Sequence, residues 1–107
     1  MYRICLITPV KDEIANLPKL LESIESQSVK IFRWVIIEND SIDGSDSFLN
    51  SMPDLSNVDK VYILKLNFYN TSYQLGIKYS TIINYAFDFV KSKAFFNDLD
   101  YIGILDA

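Results

Sequence analysis

The chain turns from apolar to polar most sharply in one run, Val35-Ile36-Ile37-Glu38-Asn39-Asp40-Ser41-Ile42-Asp43-Gly44-Ser45. Its β-branched beginning predicts a buried strand. Asp43 and Ser45 are both typical N-cap residues, so a helix is predicted to begin near Asp46. A strand, an acidic loop and a helix form the first half of a β-α-β unit. Ligands of open parallel sheets bind at the carboxyl ends of the strands. We therefore expect the polar residues 38–43 to form one wall of a site.

The segments around this run alternate between strand-like and helix-like patterns. Short apolar runs predict strands at residues 3–8, 32–37, 60–66 and 101–105. The almost continuous apolar run of the first is typical of a strand that is covered on both faces. Apolar residues at helical spacing predict helices at residues 15–27, 45–51 and 78–93. Pro9 is predicted to end the first strand, because proline cannot donate to a ladder. Charges at both ends of the third strand predict a position towards one side of the sheet.

The order β-α-β-α-β-α-β predicts an α/β fold, namely a Rossmann-like three-layer sandwich with a mainly parallel sheet. The 107 residues suit one small domain or part of a larger one. The fourth strand leads directly to the last residues, so we expect the chain to be the front half of a larger domain. Cys5 lies in an apolar strand pattern and is predicted to be a core residue.

Composition excludes several classes of function. A formal charge of −4 without a basic stripe argues against nucleic acid as the main partner. The absence of histidine removes Ser-His and Cys-His nucleophiles and histidine-based metal sites. The sequence shows no signal peptide and no apolar run of membrane-spanning length, so the expected compartment is the cytoplasm.

Polar residues follow each predicted strand and are expected to meet at one edge. They are Thr8, Asp12, Glu13, Glu38, Asn39, Asp40, Asp43, Asn67, Asn70, Lys78 and Asp106. Carboxylates can bind ribose hydroxyls or a divalent cation, amides can pair with a nucleobase, and a lysine near a helix start can meet a phosphate. With three glycines and no glycine-rich fingerprint, a phosphate would need a metal or Lys78.

Four segments resemble, in order, motifs of family 2 glycosyltransferases of the GT-A fold, and together they cover the whole chain. Residues 8–13 are similar to the opening Pro-x-Tyr-Asn-Glu segment, and residues 36–45 to Val-Asp-Asp-x-Ser-x-Asp-Gly-Ser/Thr. Residues 76–86 resemble a Gly-x-x-x-Ala-x-Asn-x-Gly/Ala helix, and residues 101–107 the strand that leads into Asp-x-Asp.

The resemblance implies a set of nucleotide-binding residues: Thr8, Pro9, Val10, Glu13, Glu38, Asn39, Lys78 and Asp106. The backbone of the first three and Glu13 would line the base and ribose pocket. Asn39 stands where the family usually has an aspartate that hydrogen-bonds the base, and its amide can pair with a uracil-like edge. Glu38 replaces a second aspartate and is expected to orient the loop.

The implied activity is transfer of a sugar from a nucleotide-diphosphate donor, with a UDP-sugar favoured, to an acceptor hydroxyl. Asp106 corresponds to the first aspartate of Asp-x-Asp, and so implies a Mn²⁺ or Mg²⁺ site, directly or through the diphosphate. The last aspartate of that motif would come after Ala107. The general base is expected in the later half of such domains. This chain should therefore bind the donor without efficient turnover, and the full-length protein could lie peripherally at a membrane.

Two other functions stay open. A sugar nucleotidyltransferase normally has a glycine-rich basic loop after the first strand, and residues 8–11 contain no glycine. A non-catalytic interaction or nucleotide-binding module is the other alternative, and it could self-associate through an unfinished sheet. Turn and cap roles are favoured over ligand roles for Asp40 and Asp43. Lys78 fits a site residue and a solvated helix start equally well.

Overall fold

A computed structural model describes residues 2–66 and 75–107, and the side chains of all of these except residues 75–79. The strands are β1 (Ile4–Val10), β2 (Ile31–Asn39), β3 (Val58–Leu66) and β4 (Tyr101–Ile104). The helices are α1 (Leu17–Ser26), α2 (Ser45–Asn50) and α3 (Leu75–Lys91), followed by a 3₁₀ turn at Ala94–Asp98. Within these ranges, no helix combines the length and the apolar character that crossing a membrane requires.

The four strands form one parallel sheet in the order β3-β2-β1-β4. The predicted α/β fold with a parallel sheet is therefore confirmed. The predicted lateral position of β3 is also confirmed, because β3 is an edge strand. The chain winds outward from β1 to β3, and then crosses back to place β4 on the other side of β1. The boundary between β1 and β4 is thus the point where the strand order reverses, and such points carry the ligand sites of open α/β sheets.

Helices cover both faces of the sheet, which gives the three layers. On one face, α1 and α2 pack over Trp34 and Ile36. On the other, α3 packs over Cys5 and Val35. Cys5 is a core residue, as predicted. Burial raises the pKa of its thiol to about 11, and the nearby positive charge of Arg33 only partly opposes this rise.

Strand β1 continues through Pro9, so the prediction that proline ends it is wrong. Leu105 N donates to Ile7 O at 2.9 Å. In a parallel strand, the polar groups of alternate residues point to the same neighbour, so those of Pro9 also point towards β4. Since these groups point away from β2, the missing N–H of Pro9 costs no ladder bond to β2. Strand β4 itself ends before this level, at Ile104 opposite Ile7.

Strand β2 extends two residues beyond the predicted end, over Glu38 and Asn39. Glu38 pairs with Val10 on one side, and Asn39 pairs with Leu66 on the other. Both side chains are buried, at 3% and 2% exposure. Buried polar groups are normally hydrogen-bonded, and the partner of Glu38 is described below. Because both residues are polar, the sequence pattern predicts that the strand ends at Ile37 and that they lie in the following loop.

Candidate functional site

The carboxyl edge of the sheet brings together predicted site residues from three strands. Val10 and Glu38 are partners in the register of β1 and β2. The bond from Leu105 N to Ile7 O shows that the chain still follows β1 after β4 has ended. Ile104 is level with Ile7, and continuing that register places Asp106 level with Pro9. Residues around Val10, Asn39 and Asp106 therefore share one edge of the molecule, on either side of the point where the strand order reverses.

Side-chain alternation divides this edge between the two faces of the sheet. Trp34 and Ile36 belong to the core under α1 and α2, so Glu38 lies on that face. Val35 and Ile37 belong to the core under α3, so Asn39 lies on the α3 face. Leu105 and Ala107 pack on the α1–α2 face, and Asp106 between them therefore falls on the α3 face. The α3 face thus receives Pro9, Asn39 and Asp106.

On the opposite face, two acidic loops bind each other. These loops are residues 11–16 after β1 and residues 40–44 after β2. Asp12 N donates to Ser41 Oγ at 2.9 Å, and Ile42 N donates to Asp12 Oδ1 at 2.7 Å. Lys11 Nζ donates to Asp40 O at 2.6 Å. The carboxylate of Asp12, which an acidic ligand site would use, is therefore engaged with the neighbouring loop. We call these two hydrogen-bonded loops the loop pair.

Asp43 is the centre of the loop pair. Its Oδ2 accepts from Ile14 N at 3.0 Å, and its Oδ1 accepts from the N and Oγ of Ser45 at 2.9 and 2.6 Å. Desolvation raises the pKa of Asp43, but these hydrogen bonds together outweigh it and hold the pKa below its ordinary value. The predicted turn role of Asp43 is confirmed, but the prediction that Asp43 or Ser45 is the N-cap is wrong. The N-cap position itself is occupied by Gly44, whose φ of 98° is one that glycine adopts readily.

The lowered pKa of Asp43 predicts a pH-dependent contribution to stability. A carboxyl whose pKa is lower in the folded state stabilises the fold above its unfolded pKa of about 4, and loses that effect as pH falls through the folded pKa. We expect Asp43→Asn to be less stable than wild type at neutral pH, with the difference shrinking towards about pH 3. Urea unfolding across this range measures it, with exposed Asp88→Asn as the control. A stability difference between Asp43→Asn and wild type that stays constant with pH would show that the pKa of Asp43 is not lowered by folding.

Several predicted binding side chains have structural roles. Glu38 Oε2 accepts from Ser41 N at 2.7 Å, which orients the loop as expected. Thr8 Oγ1 accepts from Trp34 Nε1 at 2.9 Å, and both residues are fully buried. Val10 is part of the core under α1 and α2. For Thr8 and Val10, only the backbone is left for a ligand, which is the role that the resemblance implied. That role is still a prediction.

Ser45 is a site residue that the sequence marked only as a possible cap. It is fully buried, and its Oγ accepts from Glu13 N at 2.9 Å while donating to Asp43. Ser45→Ala leaves Glu13 N without this acceptor, so we expect the free energy of unfolding to fall by about 1–3 kcal/mol. Chemical denaturation measures the change, and Ser47→Ala is the control because Ser47 is exposed on the same helix. Equal effects of the two variants would show that the loop pair adds no stability.

The remaining predicted site residues differ in accessibility. Asp106 is exposed, and Glu13 is half-buried with its Oε2 accepting from Asn16 Nδ2 at 2.9 Å. Asn39 is covered, so its amide can meet a base only if the groups above it move. The side chain of Lys78 and the whole of Asn67 and Asn70 lie outside the described residues.

A protein-only metal cage is not present in the part of the chain that the structure describes. There, no three acidic, cysteine or histidine side chains are grouped closely enough to share an ion. Mg²⁺ sites that carry nucleotides commonly use one or two carboxylates together with phosphate oxygens. Asp106 suits that second kind of site, in which the ion comes with a diphosphate.

Comparison with known proteins gives no assignment. No family model matches the chain, and no match was found among curated proteins or solved structures.

Proposed function

We propose that this chain binds the nucleotide diphosphate of a sugar donor, as the donor-binding part of a family 2-like glycosyltransferase. One observation carries the proposal: the strand order reverses between β1 and β4, and an exposed carboxylate, Asp106, lies at that point level with Pro9. Open α/β sheets bind ligands in the crevice outside the carboxyl ends of the strands at such a reversal.

The local backbone supports this location. The backbone groups of Pro9 face the segment that follows β4, and proline has no N–H to donate to it. A ligand can therefore approach the strand ends without displacing a ladder bond. The loop pair closes the neighbouring end of β1 and β2 on the α1–α2 face, because its polar groups are engaged there. On the α3 face, Asp106 is exposed at this edge.

The chemistry at Asp106 fits a diphosphate that is accompanied by a cation. A carboxylate would repel a bare diphosphate, whereas a shared Mg²⁺ or Mn²⁺ makes the contact favourable. When bound, the ion would act as a Lewis acid on the leaving diphosphate. The carboxylates of Asp12 and Asp43 accept hydrogen bonds within the loop pair, so we assign neither of them as the general base. The proposal therefore gives this chain donor binding and leaves the proton transfer to another part of the enzyme.

A nucleotide titration tests the proposal. We expect UDP to bind by isothermal titration calorimetry in the presence of Mg²⁺ or Mn²⁺, and much more weakly after EDTA treatment. GDP, measured in parallel, reports base preference. If neither diphosphate binds with either cation, the proposal fails. A non-catalytic interaction module then becomes the better account, favoured by the exposure of Tyr101 and Ile104 on the short edge strand β4.

A further inference from the structure

The second edge of the sheet, strand β3, is long and is paired on only one side among the residues described. Ile31 N donates to Asn57 O at 2.9 Å, just before the strand begins. By the alternation of a parallel ladder, odd-numbered residues of β3 direct their polar groups to β2. The N–H and C=O groups of Lys60, Tyr62 and Leu64 therefore point outward. An unpaired row of this kind is a template for another strand.

The charges on β3 complement those of a second β3 in one register. If two copies run antiparallel with Tyr62 opposite Tyr62, Asp59 of each lies opposite Lys65 of the other. A slip by two residues, the smallest that keeps the outward groups of both copies facing each other, would put Lys65 opposite Val61 and lose this charge pair. Asp59 and Lys65 form ion pairs within the chain, with Lys30 and Asp46, but their side chains are still 41% and 46% exposed. Each of these two side chains can therefore also contact an oppositely charged residue of the second copy.

Apolar surface lies beside this edge. A groove of about 590 Å³ runs along β3 on the α2 side, and Met52, Leu55, Val61 and Ile63 are among its lining residues. In the register above, Val61 of one copy lies opposite Ile63 of the other. Pairing the strands would thus place the two grooves next to each other across a twofold axis and cover apolar surface on both copies.

We propose that the partner of this edge is a second copy of the chain, added antiparallel at β3 to make one continuous sheet. Charged residues on an edge strand usually prevent such pairing. Here they favour a single register, because Asp59 and Lys65 are placed symmetrically about Tyr62. The interface lies on the opposite side of the sheet from β4, so it leaves Asp106 and the carboxyl end of β1 accessible. It also stands independently of the proposed nucleotide binding.

A proline substitution tests the use of the outward N–H groups. Lys60→Pro removes one outward donor in each copy without removing a bond to β2, and proline is accepted on edge strands. Lys60→Ala is the matched control, since it removes the same side chain and keeps the N–H. In sedimentation velocity over a concentration series, we expect wild type and Lys60→Ala to dimerise. Lys60→Pro should associate about tenfold more weakly or not at all.

A charge exchange tests the register. Asp59→Lys should not dimerise by itself, since the introduced lysine of one copy would lie opposite Lys65 of the other copy. Lys65→Glu should not dimerise either, because the introduced glutamate would face Asp59. An equimolar mixture of the two variants should form a heterodimer, in which both facing pairs are of opposite charge. A wild type that is monomeric throughout, a Lys60→Pro dimer as strong as that of Lys60→Ala, or a mixture that stays monomeric would each overturn the proposal.

Discussion

Replacing Trp34 with alanine is expected to lower the free energy of unfolding by about 3–5 kcal/mol. Trp34 is fully buried on the central strand β2, within the core that α1 and α2 cover. Its Nε1 donates to Thr8 Oγ1 on β1, so the side chain also joins the two strands. The substitution leaves a large cavity and a buried hydroxyl without its donor. Urea unfolding followed by circular dichroism measures the loss.

Two further variants separate these contributions. Trp34→Phe keeps an aromatic ring but removes the donor, so a smaller loss of about 1–3 kcal/mol is expected. Tyr85→Ala removes an aromatic side chain that is 45% exposed on α3, and should change stability by no more than about 0.5 kcal/mol. If Trp34→Ala cost no more than Tyr85→Ala, the core assigned to this face would be wrong.

The second large effect is expected at Asp106. Asp106→Asn removes the charge that would contact a cation held by a diphosphate. Interactions with charged groups contribute about 1.5–3 kcal/mol, so UDP binding in Mg²⁺ should weaken by about tenfold or more. Titration calorimetry with UDP and Mg²⁺ measures the dissociation constant. Because Asp106 is exposed, the fold should be preserved.

The matched control for this substitution is Asp54→Asn. Asp54 is also exposed, but it lies in the loop that precedes β3, towards the amino end of the sheet. The same loss of one negative charge there should leave UDP affinity unchanged. Equal weakening by both variants would indicate an effect of net charge, and would remove Asp106 from the site.

The fold could be predicted because its signals are local. The apolar runs around Ile7, Val35 and Ile104 are short and β-branched, and the stripe through Ile82 and Val90 has helical spacing. Alternation of such segments allows few arrangements, and a parallel sheet with helices on both faces is the common one. That β1 continues through Pro9 could not be predicted locally, because it depends on which neighbouring strand the backbone groups of Pro9 face.

The site was harder to predict because its contacts are distant in sequence. Asp12 and Asp43 are acidic residues in loops, which suits a metal or a ribose as well as a turn. Only the structure shows that Asp12 meets Ser41 and Ile42, some 30 residues away, and that Asp43 accepts from Ile14. Positive φ values at Asp12 and Asp40, of 54° and 52°, are consistent with tight turns. Asp106 was predicted from family resemblance, and its role stays a prediction.

The most direct test of the account is an amide map of nucleotide binding. In ¹⁵N–¹H spectra recorded during titration with UDP and Mg²⁺, the amides of Val10, Asn39 and Asp106 should shift together as the ligand saturates. The amides of Lys30, just before β2, and of Asp59, near the start of β3, lie at the opposite edge of the sheet and should not shift. Shifts confined to Lys30 and Asp59, or no shifts at saturating UDP, would contradict the claim that the carboxyl edge between β1 and β4 is the binding site.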